Sequence, residues 1–253
     1  MLHAQVCLHG LSIPAFFLLA TAVIAGFPSA AGYAQSPERI RLEPPDTTRG
    51  LPFMKALAVK ASVREFSARE LSLRDLSDLL WAANGMNRPG ERKYTASSAM
   101  NAHDVDVYVF LKTGVYLYDA DRHVLNRVLE GDHRGEIVQL RPPRPRDKEE
   151  TTPPGGTRSA ETRLQTNVGP AGAPVHLVLV SSTSRFPGGT PQLKYEWGAI
   201  DAGIVSQNIS LFCAATGLGT VPRAAIDKAK IRELLKLDET QHVFLDHPVG
   251  YKE

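Results

Sequence analysis

The sequence predicts an α+β fold, and three observations carry that reading. Helical and strand-like patterns both occur, without the regular alternation of a doubly wound parallel sheet. Residues 105–118 read as a hairpin, which joins antiparallel neighbours. Residues 196–215 read as one long apolar helix, suited to the centre of a domain.

Each element follows from its pattern. Residues 35–50 are rich in Pro and charge and read as a flexible N-terminal arm. Residues 51–59 suit a short helix. Residues 71–83 place Leu73, Leu76, Leu79 and Leu80 on one face at helical spacing. Ser72 with Asp75 three later caps that helix, and Asn84-Gly85 stops it. Residues 105–111 (VDVYVFL) are β-branched or aromatic at most positions and form a strand. Lys112, Thr113 and Gly114 turn the chain, and residues 115–118 return. Residues 141–172 hold Pro142, Pro143, Pro145, Pro153 and Pro154, a Gly-Gly pair and charges of both signs, with no apolar pattern, and read as a surface insertion. Residues 175–180 (VHLVLV) read as a buried strand. The 196–215 helix ends at Gly217-Leu218-Gly219. Residues 226–235 form another helix and 242–245 a short strand.

Composition excludes several classes. The chain has 253 residues, 43% of them hydrophobic, and a formal net charge of +2. A charge that small argues against a dedicated nucleic-acid binder. Residues 11–27 form an apolar run, followed by the small residues Gly32 and Ala34 around Tyr33. That resembles a secretory signal at 1–34, although its start carries only His3 and His9 as basic residues. Export to the periplasm or beyond is therefore expected, with an uncleaved anchor as the alternative. Beyond residue 34 the only cysteine is Cys213, inside an apolar helical pattern, so neither an internal disulfide nor a Cys cluster for zinc can form. No metal ligand set is expected.

The familiar catalytic motifs are absent: there is no GxSxG, HExxH or P-loop. Gly217-Leu218-Gly219 follows a helix, where a dinucleotide fingerprint must follow a strand. A strand through His103, Asp104 and Asp106 would put the two acids on one face and the imidazole on the other, a poor metal site. One cluster is more informative. Lys60, Ser62 and Arg64 alternate, so an extended backbone turns all three side chains to one face. Two cations and a hydroxyl there suit a phosphate; a solvated basic face is the plainer alternative.

Four ordered segments resemble the nitroreductase family, and within it the branch of SagB-type dehydrogenases and thiazole-forming peptide oxidases. They are residues 62–66 (SVREF), 79–88 (LLWAANGMNR), 95–101 (TASSAMN) with 114–119 (GVYLYD), and the helix from Asp201-Ala202-Gly203 through Gln207-Asn208 to residues 214–221 (AATGLGTV). Together they span most of residues 51–253. The resemblance implies a mainly antiparallel central sheet flanked by helices, a long central helix, and a homodimer with FMN at the subunit interface. It implies that Lys60, Ser62 and Arg64 hold the FMN phosphate and ribityl chain, with Lys252 as a further phosphate contact. Ser97, Ser98, Ala99 and Asn101 would line the flavin from the partner subunit. Ala224 and Ala225 would bring a backbone N–H near flavin N5.

Three positions depart from the family pattern. Ala61 stands where a second basic residue is usual, Ser97 where the branch has Pro, and Ala225 where Gly is common. The implied function is an FMN-dependent oxidoreductase that transfers hydride or electrons to a small acceptor such as a nitro compound or quinone. The electron donor stays open, because an exported protein meets little NAD(P)H. Two alternatives stand: a flavin-binding protein with little turnover, and a dehydrogenase of azoline-type peptides. No catalytic side chain is assigned, since the cofactor would carry the redox chemistry.

Overall fold

Runs of β-branched and aromatic residues assemble seven strands into one antiparallel sheet. The computed structural model describes residues 38–137, 167–168 and 170–252. The expected signal at 1–34 and nearly all of the 141–172 insertion lie outside them. Along the chain the elements are β1 (Arg39–Arg41), α1 (Phe53–Val59), β2 (Phe66–Ser67), α2 (Leu73–Asn84), β3 (Met86–Arg88) and β4 (Lys93–Tyr94). Next come β5 (Val105–Leu111), β6 (Gly114–Asp119), β7 (Val124–Glu130), β8 (Asn167–Val168) and β9 (Val175–Ser182). The last are α3 (Pro191–Thr216), β10 (Leu218–Thr220), α4 (Lys228–Leu235) and β11 (Gln241–Tyr251). The main sheet runs β1-β7-β6-β5-β9-β11-β10. Every neighbouring pair in it is antiparallel.

Both faces of the sheet are covered, so its central strands carry no polar stripe. On β5 and β9, Val107, Val109, Leu177 and Leu179 face the layer of α2 and α3. Their neighbours Tyr108, Phe110, Val178 and Val180 face Ile231 and Leu235 of α4. All eight residues of β9 are buried. Burying each large apolar side chain contributes roughly 1.5–3 kcal/mol.

Helix ends follow local chemistry. Ser72 accepts from the Asp75 N–H at the start of α2, the expected cap. The stop at Gly85 has a different cause from the one expected. Its φ is −82°, not left-handed, and a Cβ there would lie 2.5 Å from the Trp81 ring. Glycine is needed there for close approach.

The long helix begins at Pro191, earlier than its apolar pattern suggests. Thr190 caps it and Pro191 takes its first position, where the missing N–H is harmless. At 26 residues it is about 39 Å long. Gly217, at φ +82°, ends it in the left-handed conformation.

Two segments differ from the sequence reading. Residues 35–50 were set outside the domain, yet Arg39–Arg41 forms edge strand β1 against β7. Further along, Arg49 bonds both Asp75 and Asp78 of α2. The last strand, read as 242–245, runs from Gln241 to Tyr251. Asp246, His247 and Pro248 hid it. Pro248 lies between the last β10 pair, Thr220–Val249, and the Arg223–Asp246 bridge, a gap that needs no amide donor.

Candidate functional site

The sequence-predicted residues fall into three groups, each placed by a different element. The first surrounds Gly219 of β10. The stretch after α1 lies along this strand, with the Val63 N–H donating to the Thr220 carbonyl at 2.9 Å. A Cβ on Gly219 would sit 2.7 Å from Val63 Cγ1 and 3.3 Å from Lys252 Cγ, so glycine lets the three segments meet. Val63 turns toward β10, while Lys60, Ala61, Ser62, Arg64 and Glu65 are all exposed. Lys252 is exposed beside them. Among the described residues, none of the cations Lys60, Arg64 and Lys252 has an ion-pair partner. Burial pushes the imidazole of the buried His247 below down to about 4, with the Asp246 charge opposing and the Lys60 charge adding a smaller push. His247 is satisfied as a neutral ring between Thr220 Oγ1 (3.2 Å) and Ser206 Oγ (2.8 Å).

The second group sits on α3. Residues Ala99–Asn101 form a 3-10 turn in which Met100 and Asn101 have left-handed φ of 54° and 56°, followed by His103 at 48°. The turn borders a cavity of about 490 Å³ lined by Arg88, Lys93, Ser97, Ser98, Asn101 and Ile204, among others. The Ala99 N–H donates to Asp201 Oδ2 at 2.8 Å, and its carbonyl accepts from the Ala102 N–H. Ala99 therefore offers a ligand only its methyl group. Ser98 Oγ accepts from the His103 N–H at 2.9 Å, which leaves its hydroxyl proton free to donate. Asn101 Oδ1 accepts from Lys93, so its amide N–H groups are free. Ser97 is exposed.

The third group is the turn after β10. Arg223 is 6% exposed and grips Asp246 of β11 through its guanidinium and through two backbone hydrogen bonds of 2.8 and 2.9 Å. His176 Nδ1 lies 3.0 Å from the other Asp246 oxygen. Burial pushes the Asp246 carboxyl up, but His176 and Arg223 outweigh it and hold it below the usual carboxylate range. Next to this anchor, Ala224 and Ala225 are exposed, and their N–H groups have no acceptor among the described residues.

The first and third groups adjoin along residues 219–225. The second stands apart: among the described residues no hydrogen bond, ion pair or shared cavity joins the 97–101 turn to them. Sequence reasoning missed the supporting residues His176, Arg223 and Asp246, and the supporting role of Asp104 and Asp201. The available signal was a titratable residue inside an apolar run, as in VHLVLV and VFLDHPV. His103, Asp104 and Asp106 do not form a ligand set. Asp104 points under α3 to Ser181, and Asp106 pairs with Arg185 at 2.8 Å. Among the described residues no cluster of His, Cys, Asp or Glu suits a metal ion, and no helix is long and apolar enough to cross a membrane. Cys213 is buried, which pushes its thiol pKa up.

Comparison with known proteins gives this geometry its context. The model of the nitroreductase family matches residues 57–251. A Methanocaldococcus jannaschii protein, provisionally named a nitroreductase, is 30% identical over 203 residues, 78% of this chain and 89% of its own. A solved structure from Ralstonia eutropha JMP134, provisionally described as a nitroreductase, aligns with a TM-score of 0.69 at 31% identity, covering 86% of this chain and 91% of its own. The Escherichia coli microcin synthetase McbBCD complex, with truncated pro-MccB17 bound, aligns at a TM-score of 0.59 and 17% identity over 77% of this chain and 70% of the matched one; that likeness is one of fold alone. The matched span and these relatives together show that the chain belongs to the nitroreductase family.

Proposed function

We propose that the protein is an FMN-dependent oxidoreductase, acting as a homodimer outside the cytoplasm. It would pass hydride or electrons between reduced flavin and a small acceptor such as a nitro compound or quinone. The observation that carries the reading is the set of exposed cations around Gly219, which have no ion-pair partner among the described residues, within a chain of this family. Lys60, Arg64 and Lys252 would offset the charge of the FMN phosphate, and Ser62 would donate to it. Bound FMN supplies the two-electron chemistry. The free amides of Ala224 and Ala225, fixed by the buried Arg223–Asp246 pair, would donate toward the flavin ring. Ser97, Ser98, Ala99 and Asn101 would line that ring from the partner subunit.

Two observations favour the dimer. The candidate site is split within one chain, and a second copy would complete it. An apolar surface also lies uncovered: Phe53, Met54, Leu57 and Val59 of α1 are 40–72% exposed, and Ile200 of α3 is 61% exposed. Large apolar side chains left exposed in this number suit a contact face. The location rests on the secretory pattern of residues 1–34.

A flavin-binding protein with little turnover is the second reading, favoured by Ala61 and Ala225, which leave one fewer cation and a Cβ near the ring. The motif at residues 79–88 keeps an azoline dehydrogenase of the SagB type as the third. One experiment separates the main readings. The purified chain is loaded with FMN, desalted, and followed by flavin absorbance and elution volume, then challenged with NAD(P)H or dithionite and with candidate acceptors. A retained flavin on a dimer that turns over supports the oxidoreductase. Retained flavin without turnover supports the second reading. A colourless monomer under excess FMN overturns the proposal.

A further inference from the structure

One buried ionisable cluster lies outside the roles above. Asp104, just before β5, is fully buried. Ser181 of β9 donates its hydroxyl to Asp104 Oδ2 at 2.5 Å, and Oδ1 has no hydrogen-bond partner among the described residues. Within hydrogen-bonding reach stands a second carboxyl, that of Asp201 on α3, 2% exposed. Among the described residues no Lys, Arg or His pairs with either acid. Two ionised carboxylates side by side in such a site repel one another and leave Oδ1 unsatisfied. A single proton on Asp104, donated to Asp201, removes both penalties.

Asp201 has a second bond. Its Oδ2 accepts the Ala99 N–H that opens the left-handed turn. Non-glycine residues hold such backbone only where their surroundings impose it. The other charged and titratable groups around the pair are committed elsewhere. Arg185 takes Asp106 and the His103 carbonyl, both at 2.8 Å. The His103 ring stacks on Tyr94 at 4.3 Å, and Lys93 bonds Asn101. On β11, His242 stands opposite Ser181 in register, with its ring edge-on to Tyr195 at 5.1 Å.

We propose that Asp104 and Asp201 share one proton and act as positioning residues for residues 98–103, holding that turn while the pair is singly charged and releasing it when both ionise. The consequence for flavin rests on the proposed function; the holding of the turn does not. Burial first, with the Asp201 neighbour adding and Ser181 opposing, raises the Asp104 pKa to about 7, so the switch falls in a physiological range.

The test is amide hydrogen exchange on the full chain without added flavin, at about pH 6 and about pH 8.5, corrected for intrinsic rates. The singly protonated pair falls about thirtyfold over that interval. The Ala99 amide is expected to lose protection by roughly tenfold or more. Asp104→Asn, whose amide donates permanently to Asp201, is expected to keep protection at both pH values. Asp201→Asn removes the like charge and is expected to move the step to lower pH. With FMN added, the wild-type Kd rises across the interval and that of D104N stays level. Equal wild-type protection at both pH values, or the same loss in D104N, overturns the proposal. If D104N does not fold, an unmoved step in D201N overturns it. Absence of FMN binding in every form, with the exchange pattern as expected, removes the flavin reading and leaves the carboxyl pair standing.

Discussion

Replacing Gly198 with Ala would put a methyl group where Ser181 already stands. The new Cβ would lie 2.3 Å from Ser181 Oγ, 2.9 Å from Ser181 Cβ and 3.4 Å from the Phe244 ring. Ser181 cannot swing aside freely, because it sits on a central strand and its hydroxyl bonds Asp104 at 2.5 Å. Overpacking of this kind costs about 1–3 kcal/mol. Disturbing the Ser181–Asp104 bond adds about 1 kcal/mol, and the better helix propensity of Ala returns about 1 kcal/mol. The expected net loss is about 1–3 kcal/mol, or about 2–12 °C in Tm for a domain of this size. Urea denaturation followed by circular dichroism measures it. The double variant Gly198→Ala/Ser181→Gly frees the space, and should be no less stable than S181G alone, a coupling of about 2 kcal/mol. Additivity of the two changes within about 0.5 kcal/mol, or an unshifted midpoint in G198A, would refute the steric account.

Four further outcomes are expected. The stability of the wild type relative to D104N is greatest below about pH 4 and falls by about 4 kcal/mol as pH rises through about 7, because the folded-state pKa of Asp104 is raised. His247 opposes this: its folded pKa is depressed to about 4, so its contribution of about 3 kcal/mol is present above about pH 6.5 and lost on acidification. Denaturation from pH 4 to 8 and NMR titration of His247 read the two effects separately. Arg49→Ala leaves Asp75 and the 2% exposed Asp78 without their shared cation and costs about 2–3 kcal/mol by chemical denaturation; Lys at that position restores little, since one ammonium cannot fork to both acids. Arg64→Ala weakens FMN binding by about tenfold or more in fluorescence titration, and leaves unfolding within about 0.5 kcal/mol of wild type because the side chain is exposed.

Some of this was legible because local chemistry is written in adjacent residues. The α2 cap at Ser72, the hairpin of β5 and β6, and the glycine after α3 each follow from a few neighbours in the chain. The end of β11 was not, because its acid, imidazole and proline look like a loop until Arg223 and the gap beside β10 are seen to satisfy them. Nor was β1 visible, since three residues acquire strand character only by pairing with β7.

The sequence by itself determined the fold class, the long central helix, the four motifs of the family, and the residues with charge suited to a phosphate. Those properties depend on residue type and on spacing within a few positions. Only the tertiary structure decided which titratable groups meet. Asp104, Ser181 and Asp201 are far apart in the chain, yet they converge because Gly198 lets α3 approach β9. Lys60 and Lys252 lie near opposite ends of the domain and share one surface because Gly219 has no side chain. Through-space electrostatics and close packing depend on distances that sequence separation does not encode.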